Sequence, residues 1–177
     1  MTKKQQNKNQ VKSKQRVADH GEVFTAQREV NAMLDLVKHE TERIDSRFLE
    51  PACGDGNFLA EILRRKLEIV KKRYRRIASE FEKYAVIAVT SIYGVDILQD
   101  NVEECRKRMF NIFDKEYTAI CKNEASEECR EAVRFILSRN ILYGDALTLK
   151  QNDGKPIIFS EWSMVIGGKI KRRDFQL

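Results

Sequence analysis

Apolar residues recur at spacings of three and four early in the chain. Val30, Met33, Leu34 and Val37 share one helical face, and Thr25 stands where the N-cap of that helix belongs. Ser46–Glu50 reads as a first strand. Phe58, Leu59, Ile62, Leu63 and Leu67 then resume the helical period. That helix is predicted to run on to about Tyr84, its far half a solvated face with Lys71, Lys72, Arg73, Arg75 and Arg76. Ala85–Val95 is rich in Val, Ile, Thr and Tyr and predicts a buried strand ending at Asp96. Val102, Cys105, Met109, Ile112 and Phe113 set a helix over about Asp100–Lys122. Cys129, Val133, Phe135, Ile136 and Leu137 set another over about Ser126–Ser138. Ile141-Leu142-Tyr143 forms a third short strand that stops at Gly144-Asp145.

Strands alternating with helices imply right-handed crossovers and a parallel sheet, so the predicted class is α/β. Beyond Asp145 the pattern changes. Ala146–Leu149 and Ile157–Phe159 flank Asn152-Asp153-Gly154, the signature of a hairpin turn. Ser163–Ile166 is one more apolar run before Gly167-Gly168 and the basic Lys169-Ile170-Lys171-Arg172-Arg173. No internal repeat interrupts this order, and 177 residues suit one domain with a core of its own.

The net charge of +6 suggests nucleic acid, but its distribution weakens that signal. Lys3, Lys4, Lys8, Lys12, Lys14 and Arg16 lie in the first sixteen residues with no acid among them. Removing those 6 from 33 basic residues leaves 27 against 27 acidic ones. Residues 1–17 are therefore expected to be a disordered basic tail, a solubilising end or an arm on phosphate backbone, and 18–177 the folded domain. No apolar run approaches the ~18 residues of a membrane span. Nor does an apolar segment follow the basic start, so neither membrane nor secretion is expected and the location is read as cytoplasmic. Cys53, Cys105, Cys121 and Cys129 form no CxxC, and His20 and His39 stand far from them. No metal site or disulfide framework is expected.

The chemistry concentrates at the strand ends. Phe48-Leu49-Glu50-Pro51-Ala52-Cys53-Gly54-Asp55-Gly56-Asn57-Phe58-Leu59 reads as strand, glycine turn and helix N-terminus, where backbone amides can meet a ligand. Asp96 and Asp145 end the next two strands. Ligands of open parallel sheets bind beyond the carboxyl ends of the strands, and adjacent strands lie ~4.8 Å apart. The three ends thus span one crevice about as long as a nucleoside. There Asp96 can accept two ribose hydroxyls and Asp145 an adenine amine. A dinucleotide fits poorly: Gly54-Asp55-Gly56-Asn57-Phe58-Leu59 lacks a third glycine, and Asp96 lies far beyond the usual position of the ribose acid. The plain structural alternative makes Gly54 and Gly56 a simple turn and both acids helix caps.

These residues carry a resemblance. The chain resembles the N-terminal, cofactor-binding half of S-adenosylmethionine-dependent DNA adenine-N6 methyltransferases of the restriction–modification type. His20-Gly21-Glu22-Val23-Phe24-Thr25 is similar to their leading cofactor motif, with Thr25-Ala26 in place of threonine-proline. The Phe48–Leu59 stretch resembles their glycine turn, Ile92-Tyr93-Gly94-Val95-Asp96-Ile97 their ribose motif, and Ile141-Leu142-Tyr143-Gly144-Asp145-Ala146 their adenine motif. The resemblance implies a Rossmann-like methyltransferase fold with an incomplete parallel sheet, flanking helices and a C-terminal β-hairpin. It implies S-adenosyl-L-methionine as cofactor. Phe24 and Thr25 would meet its methionine part. Glu50, Cys53, Gly54 and Gly56 would shape the pocket, Asp96 would hold the ribose and Asp145 would meet the adenine amine, with Pro51, Ile97 and Ala146 also binding the cofactor. It also implies DNA as partner.

One motif departs. The family ends its fourth strand in Asn/Asp-Pro-Pro-aromatic, which activates the target amine and stacks on the flipped base. Pro51 and Pro156 are the two prolines here, and Val165-Ile166-Gly167-Gly168 runs into Lys169 instead. The catalytic residues are therefore unassigned. Trp162 and Phe175 could stack on a base and Lys169 to Arg173 meet phosphates, though a core residue and a solvated charge run are the plainer readings. The expected enzyme is a DNA adenine methyltransferase that is truncated, split or completed by a second chain. The alternatives are a non-catalytic cofactor-binding subunit or sensor, and a methyltransferase for RNA or protein. A sheet this short exposes an edge, so a second subunit, a homodimer or the C-terminal hairpin is expected to cover it.

Overall fold

The computed structural model describes residues 11–165 and 169–176. Its helices are α1 (Lys14–His20), α2 (Gln27–Asp35), α3 (Lys38–Thr41), α4 (Asn57–Tyr74), α5 (Ala78–Thr90), α6 (Gln99–Cys121) and α7 (Glu127–Asn140). Its strands are β1 (Phe48–Glu50), β2 (Ile92–Asp96), β3 (Ile141–Tyr143), β4 (Ile158–Met164) and β5 (Ile170–Gln176). β1, β2 and β3 form a parallel sheet in that order, with Glu50 opposite Gly94 and Asp96 opposite Tyr143. β2 is buried along its whole length. Because each crossover advances in the same direction with the same hand, the crossing helices stack on one face of the sheet. There Leu59, Leu63, Phe81, Val89, Met109, Phe113 and Val133 join Ile92 and Ile141 in one core. This mixed α/β arrangement is compatible with a Rossmann-like fold.

Two sequence expectations fail between β1 and β2. The single helix expected to reach Tyr84 turns at residues 75–77, where the Ile77 amide donates to the Tyr74 carbonyl at 3.0 Å. α5 then folds back on α4, and Tyr74 stacks on Tyr84 with centroids 3.9 Å apart. No glycine or proline marks this turn. Residues 85–90, expected as strand, are helical, and β2 begins only at Ile92. α5 packs against α4, α6 and α7, so it is apolar on several sides, and a short buried helix has the same periodicity as a buried strand.

The chain ends also differ from expectation. Residues 1–10 of the expected tail lie outside the described residues. Residues 14–17 open α1, whose N-cap Ser13 accepts from the Arg16 amide at 3.1 Å and whose end is turned by Gly21 at φ 65°. Thr25 does not cap α2. The N-cap is Ala26, with no side-chain cap. Around Asn152-Asp153-Gly154 isolated bridges, Asp145 with Lys150 and Lys150 with Pro156, replace the expected hairpin strands. The C-terminal hairpin is β4–β5, antiparallel from Ile158 opposite Gln176 to Met164 opposite Ile170. Part of the run Val165-Ile166-Gly167-Gly168, residues 166–168, is outside the described residues. The hairpin covers the second face of the sheet, not its edge. Ile157 and Phe159 pack on Tyr93 and Val95, and the Tyr93 hydroxyl donates to the Ser160 carbonyl at 2.9 Å. Among the described residues the outer edge of β1 has no strand partner, and Leu49 there is 48% exposed. No helix among the described residues is long and apolar enough to cross a membrane.

Candidate functional site

The turn after β1 is held from both sides. The Cys53 amide donates to the Val95 carbonyl at 2.9 Å, and the Gly56 amide to the Cys53 carbonyl at 2.9 Å. Gly54 and Gly56 stand at φ 53° and 89°, the left-handed region that glycine tolerates without strain. Space constrains them too. A Cβ at Gly56 would lie 2.6 Å from Cys105 Sγ, and one at Gly54 would lie 3.0 Å from the Phe24 ring. Gly56 thus lets α4 start directly against α6, while Gly54 lets the 21–25 loop close over the turn.

Asp96, at the end of β2, is the hub. Its Oδ2 accepts from the Gly54 amide at 2.8 Å, and its Oδ1 from the Leu98 amide at 2.9 Å and from Asn101 Nδ2 at 3.2 Å. The carboxylate is 8% exposed and keeps acceptor capacity toward the crevice. Asp145, beyond β3, accepts from the Leu147 amide at 2.8 Å and the Thr148 hydroxyl at 3.0 Å. Those bonds hold its pKa below the ordinary aspartate value. They close a turn over residues 145–148, and among the described residues no helix follows for the acid to cap as the plain structural alternative expected. Glu50 has the opposite bias: burial raises its pKa, partly offset by a bond from the Ala52 amide.

These strand ends open into one cavity of about 700 Å³. Of the site residues expected from sequence, Phe24, Thr25, Glu50, Pro51, Cys53, Gly54, Asp96, Ile97, Asp145 and Ala146 all line it. Gly56 does not; it lies buried beneath the turn against Cys105. Sequence reasoning passed over three supporting residues. Asn57 donates to the Thr25 carbonyl at 3.2 Å while its Oδ1 accepts from Arg108 at 2.6 Å, and Arg108 also pairs with Asp55 at 2.8 Å. Asn101 donates both to Asp96 and, at 2.7 Å, to Glu22. Their signal was position alone: Asn57 opens α4, and Asn101 lies in the first turn of α6.

The lining has one sign of charge. Glu22, Glu50, Asp55, Asp96 and Asp145 face the cavity, and among the described residues no lysine or arginine lines it. Glu22 is paired with Arg16 and Asp55 with Arg108 behind the wall, so Glu50, Asp96 and Asp145 remain as the acids that suit a ligand with cationic centres and hydroxyl or amine donors. The Cys53 thiol is free and buried in the cavity wall. Its hydrogen bond with Cys105, together with burial, drives its pKa far above the ordinary thiol value. Among the described residues no group of three or more His, Cys, Asp or Glu side chains could hold a metal ion.

The chain is similar to a protein named DNA methyltransferase A from Bacillus subtilis (strain 168). The two are 26% identical over 125 residues. The match takes in 68% of this chain but only 14% of the length of that relative. No family model matches the chain. No solved structure matches it either.

Proposed function

We propose that this chain binds S-adenosyl-L-methionine in the acid-lined cavity and serves as the cofactor-binding part of a DNA adenine-N6 methyltransferase. The observation that carries the reading is the cavity itself: carboxylates and glycine-turn amides at the carboxyl ends of parallel strands, with Arg16 and Arg108 held behind the wall on Glu22 and Asp55 and no basic side chain among the described residues lining it. The cofactor has a sulfonium and an ammonium against one carboxylate, so it is a net cation. A dinucleotide would bring two phosphates against Glu50, Asp96 and Asp145, the lining acids that no described arginine or lysine pairs with. The residues present also suit its parts. Asp96 keeps one lone pair, on Oδ2, for a ribose hydroxyl, Asp145 can accept from the adenine amine, and Phe24, Thr25 and Gly54 bound the end left for methionine. When bound, the cofactor supplies an electrophilic methyl group. The chain's own residues orient it and shield it on the Phe24 side.

Likeness to a protein named as a DNA methyltransferase supports a methyltransferase-like activity and DNA as its target. The adenine-N6 assignment and the restriction–modification setting rest on the motif resemblance. Because no Asn/Asp-Pro-Pro-aromatic occurs in the sequence, the acceptor amine is expected to be activated by residues outside these 177, on the same chain or on another. The open edge of β1 is where a strand from those residues could extend the sheet. The same missing motif favours a second reading, a cofactor-binding subunit or sensor that transfers no methyl group.

Calorimetry with the cofactor, followed by a labelled-methyl assay on mixed-sequence DNA, separates the two. Both predict saturable heat. Label appearing on adenine supports the enzyme, and heat without label supports the sensor. The absence of heat would remove both. Asp96→Ala is expected to weaken binding at least about tenfold, since hydrogen bonds to a charged acceptor contribute ~1.5–3 kcal/mol each. Unchanged affinity in that variant would move the site elsewhere.

A further inference from the structure

Lys12 and Arg16, which the sequence places in a solubilising tail, meet the cavity wall. Gly21 turns the end of α1 directly into Glu22. Arg16 then closes on two carboxylates. Its Nε and one terminal nitrogen donate to Glu22 at 2.6 and 2.7 Å, and its terminal nitrogens donate to Asp100 at 2.7 and 3.2 Å. Lys12 adds bonds of 3.2 Å to Asp100 and 2.7 Å to Asn101 Oδ1, which Arg16 also reaches at 3.2 Å.

Asn101 is buried, and every hydrogen-bonding site on its amide is used. Its oxygen accepts from both cations, and its nitrogen donates to Glu22 at 2.7 Å and to Asp96 at 3.2 Å. An unbroken set of bonds therefore runs from Arg16 through Glu22 and Asn101 to the carboxylate at the centre of the site. Exposed ion pairs contribute little. This one is different in kind, because the Glu22 side chain is 7% exposed and is gripped in fork geometry. Without Arg16, Glu22, Asp96 and Asp100 would crowd together with Lys12 as the one cation bonded to the cluster among the described residues. Their repulsion would push the 21–25 wall off the turn.

We propose that Arg16 is a positioning residue for the ligand site. The segment from Lys12 to Glu22 is a strap that holds the cavity wall and Asp96 in the arrangement ligand binding requires. The proposal builds on the cofactor reading above, and its test separates the two. Arg16→Gln and Arg16→Lys would be compared with the full natural chain by calorimetry with S-adenosyl-L-methionine and by amide hydrogen exchange without ligand. General electrostatics predicts tighter binding in Arg16→Gln, by a few-fold, because the site becomes more negative toward a cation. The strap predicts the reverse: affinity at least about tenfold weaker, with Arg16→Lys in between. Amides of residues 21–25 should exchange faster while those of α4 to α6 stay protected. Binding in Arg16→Gln as tight as in the natural chain, or tighter, overturns the proposal. If the natural chain gives no heat, the cofactor reading fails by itself. Exchange then decides the strap: faster exchange at 21–25 in Arg16→Gln upholds it, and unchanged exchange ends it.

Discussion

Gly56 sits at φ 89° with Cys105 Sγ where its own Cβ would go. Both faults would fall on an alanine at once. A left-handed non-glycine residue costs roughly 1–2 kcal/mol, and overpacking a tight contact typically 1–3 kcal/mol. Gly56→Ala should therefore lower stability by about 2–5 kcal/mol in urea unfolding. Adding Cys105→Ala should return only the steric part. Full recovery would show that the backbone angle carries no strain. This glycine was legible in the sequence as part of a turn motif, but its task was not. Spacing pointed to ligand contact, whereas the fold uses it to seat α4 against α6. Asp96 is the converse case. Its place at a strand end was legible, and the bonds from Gly54, Leu98 and Asn101 that aim it were not, since they depend on three separate segments meeting.

Among the elements, α4 carries the least expected side chain. Lys66 is fully buried and donates to the carbonyls of Ile44 (3.1 Å) and Ser46 and to the Ser91 hydroxyl (2.7 Å), tying together the starts of β1 and β2. Burial lowers its pKa to about 7 from an ordinary value of 10.5. The unfolded chain then binds more protons than the folded one between those pH values, so stability should rise as pH goes from about 7 toward 10.5. Urea midpoints from about pH 7 to about 8.5, below the range where the cysteines that folding buries ionise in the unfolded chain, should climb in the natural chain and flatten in Lys66→Met. A fall with rising pH would mean that the carbonyl cage favours the charged amine. Helical periodicity placed Lys66 on α4 but gave no hint of burial. The same blindness explains α5, where an apolar run of valine, isoleucine and alanine read as strand. Short β strands at fixed order, by contrast, were legible because acids and glycines punctuate their ends.

For the whole molecule, charge placement matters more than charge sum. The chain is +6 overall, yet its main cavity is lined by acids alone among charged residues. An adenine nucleotide with phosphates should therefore be rejected while a cationic adenosine derivative is taken. NAD⁺ should give no heat under conditions where S-adenosyl-L-methionine saturates, and equal binding of the two would undo the electrostatic argument. A separate groove of about 560 Å³ between α4 and α6, lined by Arg64, Lys107 and Lys115 among others, provides an internal control. The most direct measurement is a titration of the ¹⁵N-labelled chain with S-adenosyl-L-methionine, followed by amide shifts. Saturable shifts are predicted at Phe24, Gly54, Ile97 and Ala146, with Lys107 and Lys115 unmoved. No shift at millimolar cofactor, or shifts confined to the α4–α6 groove, would contradict the assignment of the cavity.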